Sequence, residues 1–198
     1  MALSHYRNSI AAVNQYEVVN PSLFEVTIMP PQIDGVNIDD ESTALLLEHV
    51  RSVGGLDGLN PPVGVVRQKF KYAERSYAGA PESTHLELSV TFSLNLNDAH
   101  ENYIYTTLRK WTNQIFNPAT GAMGCKSSYT GNMIIVQYDR DGSIWRMINC
   151  HQVFPTGQLT GMGDLSYESG NEAQELSVTF SCDYWEEQVL GLPEVVTS

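Results

Sequence analysis

The residues able to do chemistry in this sequence do not gather into a catalytic pattern. There is no Gly-x-Ser-x-Gly elbow, phosphate-cradling loop, His-Glu-x-x-His pair, Cys-x-x-Cys pair or dinucleotide fingerprint. His5, His85 and His151 stand far apart, without the spacing of metal ligands, and read as surface or partly packed imidazoles. His100-Glu101 stands where a helical pattern begins, a place for capping and for complementing the helix dipole. Asp139 and Asp141 offer carboxylates to a calcium ion, but the rest of a calcium loop is missing. A tight Asx turn accounts for both. Cys125, Cys150 and Cys182 show no metal spacing and, being three, cannot all pair within one chain. Buried free thiols are expected, with a disulfide between subunits as the alternative. Tyr184, Trp185 and Glu186 suit either an aromatic platform or a strand end packed on a neighbour. The sequence predicts no enzyme, no catalytic residue, no metal and no cofactor.

What the sequence does repeat is structural. Glu-Leu-Ser-Val-Thr-Phe-Ser occurs twice, as residues 87–93 and 175–181. Both copies alternate with the period of a strand. Leu88, Val90 and Phe92, and again Leu176, Val178 and Phe180, form a bulky apolar face. Glu87, Ser89, Thr91 and Ser93, with Glu175, Ser177, Thr179 and Ser181, form a face of hydroxyls and acids. A sheet of such strands packs a core on one side and meets water on the other.

The other elements follow from pattern and punctuation. Residues 5–15 suggest a short helix within an N-terminal segment 1–19. Phe24, Val26 and Ile28 alternate with Glu25 and Thr27, and Pro30-Pro31 stops that strand. Residues 32–43 are acidic and irregular, and Ala44–Val53 is read as a strand rather than a helix. Val65–Tyr77 alternates, and a turn at Gly79–Pro81 predicts a long hairpin across 64–97. Asn97-Asp98 with Glu101 matches a capping box, followed by a helix with Ile104, Leu108, Trp111 and Ile115 on one face. Asn117-Pro118 ends it. Met133–Tyr138 and Ser143–Phe154 form a hairpin closed by Asp139–Gly142. Pro155–Gly163 is a loop, Asp164–Glu168 a short strand, and 188–198 a loose tail. Six or seven strands and one amphipathic helix make a single, mainly β domain over 1–198, a small barrel or sandwich.

Charge narrows the partners. The chain has 23 acids against 11 bases, for a net charge of −12. Clustered Lys and Arg carry affinity for phosphate, so this balance opposes gripping nucleic acid while leaving it free to pass. Arg67, Lys69, Lys71 and Arg75 are four of the eleven bases within nine residues, and no base follows Asp164. Such polarity suits head-to-tail contact between copies, although a solvated strand face would look the same. The longest apolar runs are far too short to span a membrane. An apolar leader is also absent, so the expectation is a soluble product made in the cytoplasm.

Four segments in order resemble the tail tube proteins of contractile-tailed, T-even-type bacteriophages. They are NPSLFEVTI at 20–28, LSVTFSLNLNDAHENYIYTTLRKW at 88–111, YDRDGSIWRMINCHQVFPTGQL at 138–159 and NEAQELSVTFSCDYWE at 171–186. They cover about half the chain, and the Asp183-Tyr184-Trp185-Glu186 ending is the most specific.

The resemblance implies a virion subunit made in the host cytoplasm that forms hexameric rings. The rings stack into a tube inside a contractile sheath, bounded by baseplate and terminator proteins. Strands from each copy, the two repeats among them, join those of sister copies in a continuous ring-shaped barrel, polar side inward around an anionic pore through which DNA passes without specific binding. On this reading Glu25, Thr27, Asp183 and the polar residues of both repeats face the lumen. Arg67, Lys69, Lys71 and Arg75 contact the adjacent ring. The segment 30–62 and the tail after Gln188 depart from the family pattern, which keeps a baseplate-proximal initiator or cap as an alternative. A type VI secreted tube protein matches less well, and a monomeric carbohydrate-binding β-sandwich is the reading from another class.

Overall fold

A computed structural model describes residues 19–33, 46–81, 85–94, 103–161 and 173–189. The helix expected at 5–15, the capping box at 97–101, the strand at 164–168 and the tail beyond Val189 lie outside the described residues.

The chain is mainly β. In order it forms β1 (Phe24–Met29), β2 (Val50–Gly54), a 3-10 turn (Leu56–Leu59), β3 (Val63–Lys69), β4 (Glu74–Pro81) and β5 (Leu86–Ser93). Helix α1 (Tyr103–Ile115) follows, then a two-residue pair β6 (Phe116–Asn117) and β7 (Ala122–Met123) and a short α2 (Lys126–Tyr129). The closing strands are β8 (Gly131–Tyr138), β9 (Ile144–Pro155), β10 (Glu175–Cys182) and β11 (Tyr184–Val189). The stretch read as one strand over 44–53 is divided: residues 46–48 are helical and only Val50 onward is extended.

A continuous path β1-β8-β9-β10-β5-β2 carries the main sheet, with β11 added to β9. The bend in β9 splits it into two layers. Its first part pairs with β8 and β11, and only Phe154 and Pro155 pair with β10. The turn between layers falls at Gln152, skipped in the β8 register and held at φ 54°. An extra residue in one strand forces such a bend, and strands that switch layers make the corners of a sandwich. The chain switches layers again at Asp183, between β10 and β11. The first layer is therefore β1, β8, β9 and β11, and the second is β2, β5, β10 and the end of β9.

Alternation sets what each layer buries. Val26, Ile28, Met133, Ile135, Ile148 and Cys150 from the first layer meet Leu86 to Phe92 and Leu176 to Phe180 from the second in one core. Helix α1 adds Ile104, Leu108 and Trp111 to that core. The Trp111 ring lies 5.7 Å from that of Phe180, and its N–H donates to the Tyr129 carbonyl at 2.6 Å.

Two expectations are corrected here. The repeats do not reach for sister copies: β5 and β10 pair with each other, antiparallel, with Val90 opposite Val178. Each Val is the centre of its heptapeptide, so the copies are related by a local twofold. The hairpin expected across 64–97 closes earlier, at Phe70–Ala73, where the Phe70 N–H donates to the Ala73 carbonyl at 2.7 Å. It pairs β3 with β4 and leaves β5 in the body, because the Gly79–Pro81 signal marks a bulge at the hairpin base, not its turn.

Candidate assembly surfaces

Each layer has an outward face, and the predicted lumen residues are divided between them. The second layer presents Glu87, Ser89, Thr91, Ser93, Glu175, Ser177 and Thr179. The local twofold puts Glu87 and Glu175 at opposite corners, each across from a serine (Ser181 and Ser93). Between them the Thr91 and Ser177 hydroxyls are hydrogen-bonded at 2.9 Å. Ser181 shares the alternation but is 2% exposed, covered inside the protomer. The loop after β9 runs along β10: the Thr156 N–H donates to the Thr179 carbonyl at 2.9 Å, and Thr160 and Ser177 exchange backbone bonds.

Glu25 and Thr27 stand instead on the outward face of the first layer. Glu25 accepts the Tyr138 hydroxyl at 2.7 Å. That bond to a carboxylate, then burial and the nearby negative charge, raises the Tyr138 phenol above its ordinary value. Farther across this face Tyr184 stacks on His151, ring centroids 4.6 Å apart and 13° from parallel. Asp183 belongs to neither face. It sits at the corner between layers and forms an ion pair with Lys126 of α2. Glu187 of β11 is likewise held by Arg146 of β9, at 2.6 Å. Two C-terminal acids thus have cations within the protomer, which the absence of any base after Asp164 concealed.

The β3–β4 hairpin stands apart from both layers, and nearly every residue along it is exposed. Val65, Val66 and Tyr72 are 61%, 59% and 88% exposed, unusual for side chains of this size. Pairing also sorts the predicted basic cluster. Arg67 and Lys69 share one face, where Arg67 lies 3.8 Å from Glu74, whereas Arg75 turns to the other face over the Phe70 ring. Lys71 lies over Tyr72 at the turn.

Three strands of the main sheet have a strand partner on one side only among the described residues: β1, β2 and β11. Their edges differ. In β2 the register slips at Arg51, so a bulge and a charge interrupt it. Both are standard defences against further pairing. The pairings of β1 and β11 run without a slip over all six residues of each strand. They border the same layer on opposite sides, and sequence alternation gave no sign of it, since an edge strand and a central strand alternate alike.

The thiols have no comparable role. Cys150 and Cys182 are buried beside each other, and Cys125 is exposed. The hydrogen bond with Cys182, followed by burial, pushes the Cys150 thiol far up. A thiol held protonated is unreactive. Among the described residues no three His, Cys, Asp or Glu side chains gather as a metal site, and no helix is long and apolar enough to cross a membrane.

No protein-family model and no curated protein matches the chain. Solved structures do. A sheath–tube complex of the extracellular contractile injection system PVC, in the extended state, contains a chain 15% identical, with 92% of this chain and 97% of that one covered and a TM-score of 0.55. A sheath/tube terminator of the same system, also extended, is 14% identical over 88% and 99%, with a TM-score of 0.56. The tube-terminating cap of the anti-feeding prophage is 12% identical over 88% and 93%, with a TM-score of 0.53. At such identities the likeness is one of fold. The chain has the tube-like fold of contractile injection systems, a mainly β protomer whose sheet is left open at its edges.

Proposed function

We propose that the protein is a structural subunit of a contractile-tail tube. It assembles as hexameric rings stacked inside a sheath, between baseplate and terminator, in a phage tail that delivers a genome. One observation carries this reading: a four-stranded layer with, among the described residues, a regular, unpaired edge on each side, β1 and β11. In the order β1-β8-β9-β11 every neighbour is antiparallel. Antiparallel pairing of β11 with β1 of the next copy continues the same sheet. Head-to-tail contact of this kind closes into a ring when the rotation per copy divides a full turn. It also removes two edges that otherwise invite aggregation. The tube fold of the solved neighbours and the four resembling segments support the same role.

This arrangement refines the lumen assignment. The wall would be the first layer, so its outward face lines the channel. Glu25, Thr27 and Glu186 then face the passing polymer, while Glu87, Ser89, Thr91, Ser93, Glu175, Ser177 and Thr179 face away from it. Among the described residues no Lys or Arg joins Glu25, Thr27, Tyr184 or Glu186 on that face, which leaves a polyanion unbound and mobile. The hairpin, with Arg67, Lys69, Lys71 and Arg75, supplies the contact between rings. An isolated two-stranded ribbon is marginal in water, and covering its exposed Val and Tyr side chains stabilises it.

Negative-stain microscopy and size-exclusion chromatography of the purified protein test the assembly, with rings or tubes expected. For the edge, Thr27→Cys and Glu186→Cys combined in a Cys125→Ser background should crosslink one copy to the next on oxidation. A strictly monomeric protein, as a carbohydrate-binding sandwich would be, refutes the proposal. An end-of-tube role is the second reading, because a terminator and a cap share the fold. It is distinguished by single rings that do not elongate.

A further inference from the structure

The second layer's outward face turns away from the channel when the first layer forms the wall. It is made of short hydroxyl side chains and bounded at opposite corners by Glu87 and Glu175, its only carboxylates among the described residues. Glu87 has the His85 ring at 3.3 Å. A surface of this kind is rich in acceptors and short of cations, so it suits a partner that brings donors and positive charge. The same chain carries such a partner. The β3–β4 hairpin holds Arg67, Lys69, Lys71 and Arg75 against the single acid Glu74, and adds the exposed hydroxyls of Tyr72 and Tyr77.

We infer that the hydroxyl-and-acid face of β5 and β10 is the seat for the basic hairpin of a second copy. The inference rests on the tube reading and names the receiving surface for its contact between rings. Among the described residues, only Arg67 of the four cations has a carboxylate beside it, while Lys71 and Arg75 lie over aromatic rings, which carry no full negative charge. Lys69 and Arg75 stand on opposite faces of the hairpin. One face can therefore meet Glu175 while the other is covered by the next subunit around the ring. The hairpin cannot serve its own protomer in this way: it stands clear of both layers, so the contact must come from another copy.

Charge exchange tests it. Glu87→Lys with Glu175→Lys should leave the protomer folded and rings intact, but lower the stacked fraction about tenfold, since several weak surface pairs act together around each ring. Adding Lys69→Glu and Lys71→Glu should restore stacking. In parallel, Lys69→Cys with Glu175→Cys in the Cys125→Ser background should give a ladder of linked copies on oxidation. Lys69→Cys with Glu25→Cys should not. Stacking unchanged by the first pair, no restoration by the second, or a ladder only with position 25 overturns the docking site and leaves the tube reading standing. Failure of the unaltered protein to form rings or stacks overturns both.

Discussion

Trp111 joins the two kinds of structure in this protein. Its ring fills the core against Phe180 and its N–H ties α1 to the residues before β8. Trp111→Ala removes both, and truncating a fully buried tryptophan costs about 3–5 kcal/mol. Urea unfolding of the protomer should show a loss of unfolding free energy of that size, and Trp111→Phe should recover most of the packing but not the hydrogen bond. Glu25 is a second informative residue. Because Tyr138 titrates above its ordinary value in the folded chain, their bond stabilises the protomer below the ordinary phenol range. It loses that effect as pH rises through the raised value. Glu25→Gln should bring the Tyr138 titration back down, read by NMR of ring-labelled tyrosine; an unchanged titration would dismiss the bond. At this scale the sequence was a partial guide. Alternation correctly put Leu88, Val90, Phe92 and their counterparts in the core. The same parity could not show that Ser181 is covered, or that Asp183 has Lys126 as a partner 57 positions away.

The repeats and the hairpin teach different lessons about elements. Identical strands with identical faces pair well with each other, and Val90 opposite Val178 is the result. Their likeness was legible, but their mutual pairing was not, since register depends on contacts distant in sequence. The hairpin was legible as β but closed in the wrong place. Gly-Ala-Pro at 79–81 looks like a turn, yet the tight connection at Phe70–Ala73 lacks both Gly and Pro. The hairpin expected from Met133–Tyr138 and Ser143–Phe154 forms, with strands 131–138 and 144–155, because its turn chemistry is explicit. Asp139 accepts the Ser143 N–H at 2.8 Å through its side chain, and Gly142 takes φ 81°. Gly55 is a further fixed point. Its φ is 92°, and a Cβ there would lie 2.1 Å from the Glu87 carbonyl oxygen. Gly55→Ala should therefore cost more stability than any substitution on the hairpin. Replacing Arg67, Lys69, Lys71 and Arg75 together by Glu should leave the thermal unfolding of the protomer nearly unchanged and abolish tubes in micrographs. Tubes of normal length would separate the hairpin from assembly.

For the whole molecule, charge and edges pull in opposite directions. Every copy brings a net charge of −12 to a neighbour of the same sign. Repulsion of that kind acts over a distance, and raising salt from about 10 mM to 150 mM shortens its range from roughly 30 Å to 8 Å. Backbone pairing and apolar cover at the hairpin act at contact and are hardly screened. Ring formation followed by analytical ultracentrifugation should accordingly rise over that salt range while stacking through the charged hairpin falls; a steady fall of ring formation would mean that ion pairs, not strand pairing, join one copy to the next around the ring. The fold class was readable from periodicity, and the order of four segments pointed to a tube. Which layer has the two regular open edges was hidden, because open edges are a property of topology and leave no mark on composition.

The bend in β9 has a mechanical consequence. One unbroken peptide runs from the layer proposed as the wall into the layer behind it, turning at Gln152. Thrust on a driven needle would then be handed from bore to casing through covalent bonds instead of side-chain friction. The two skins would move as one, and Gln152 and Asp183, where the chain passes from one to the other, are where shear between them would concentrate.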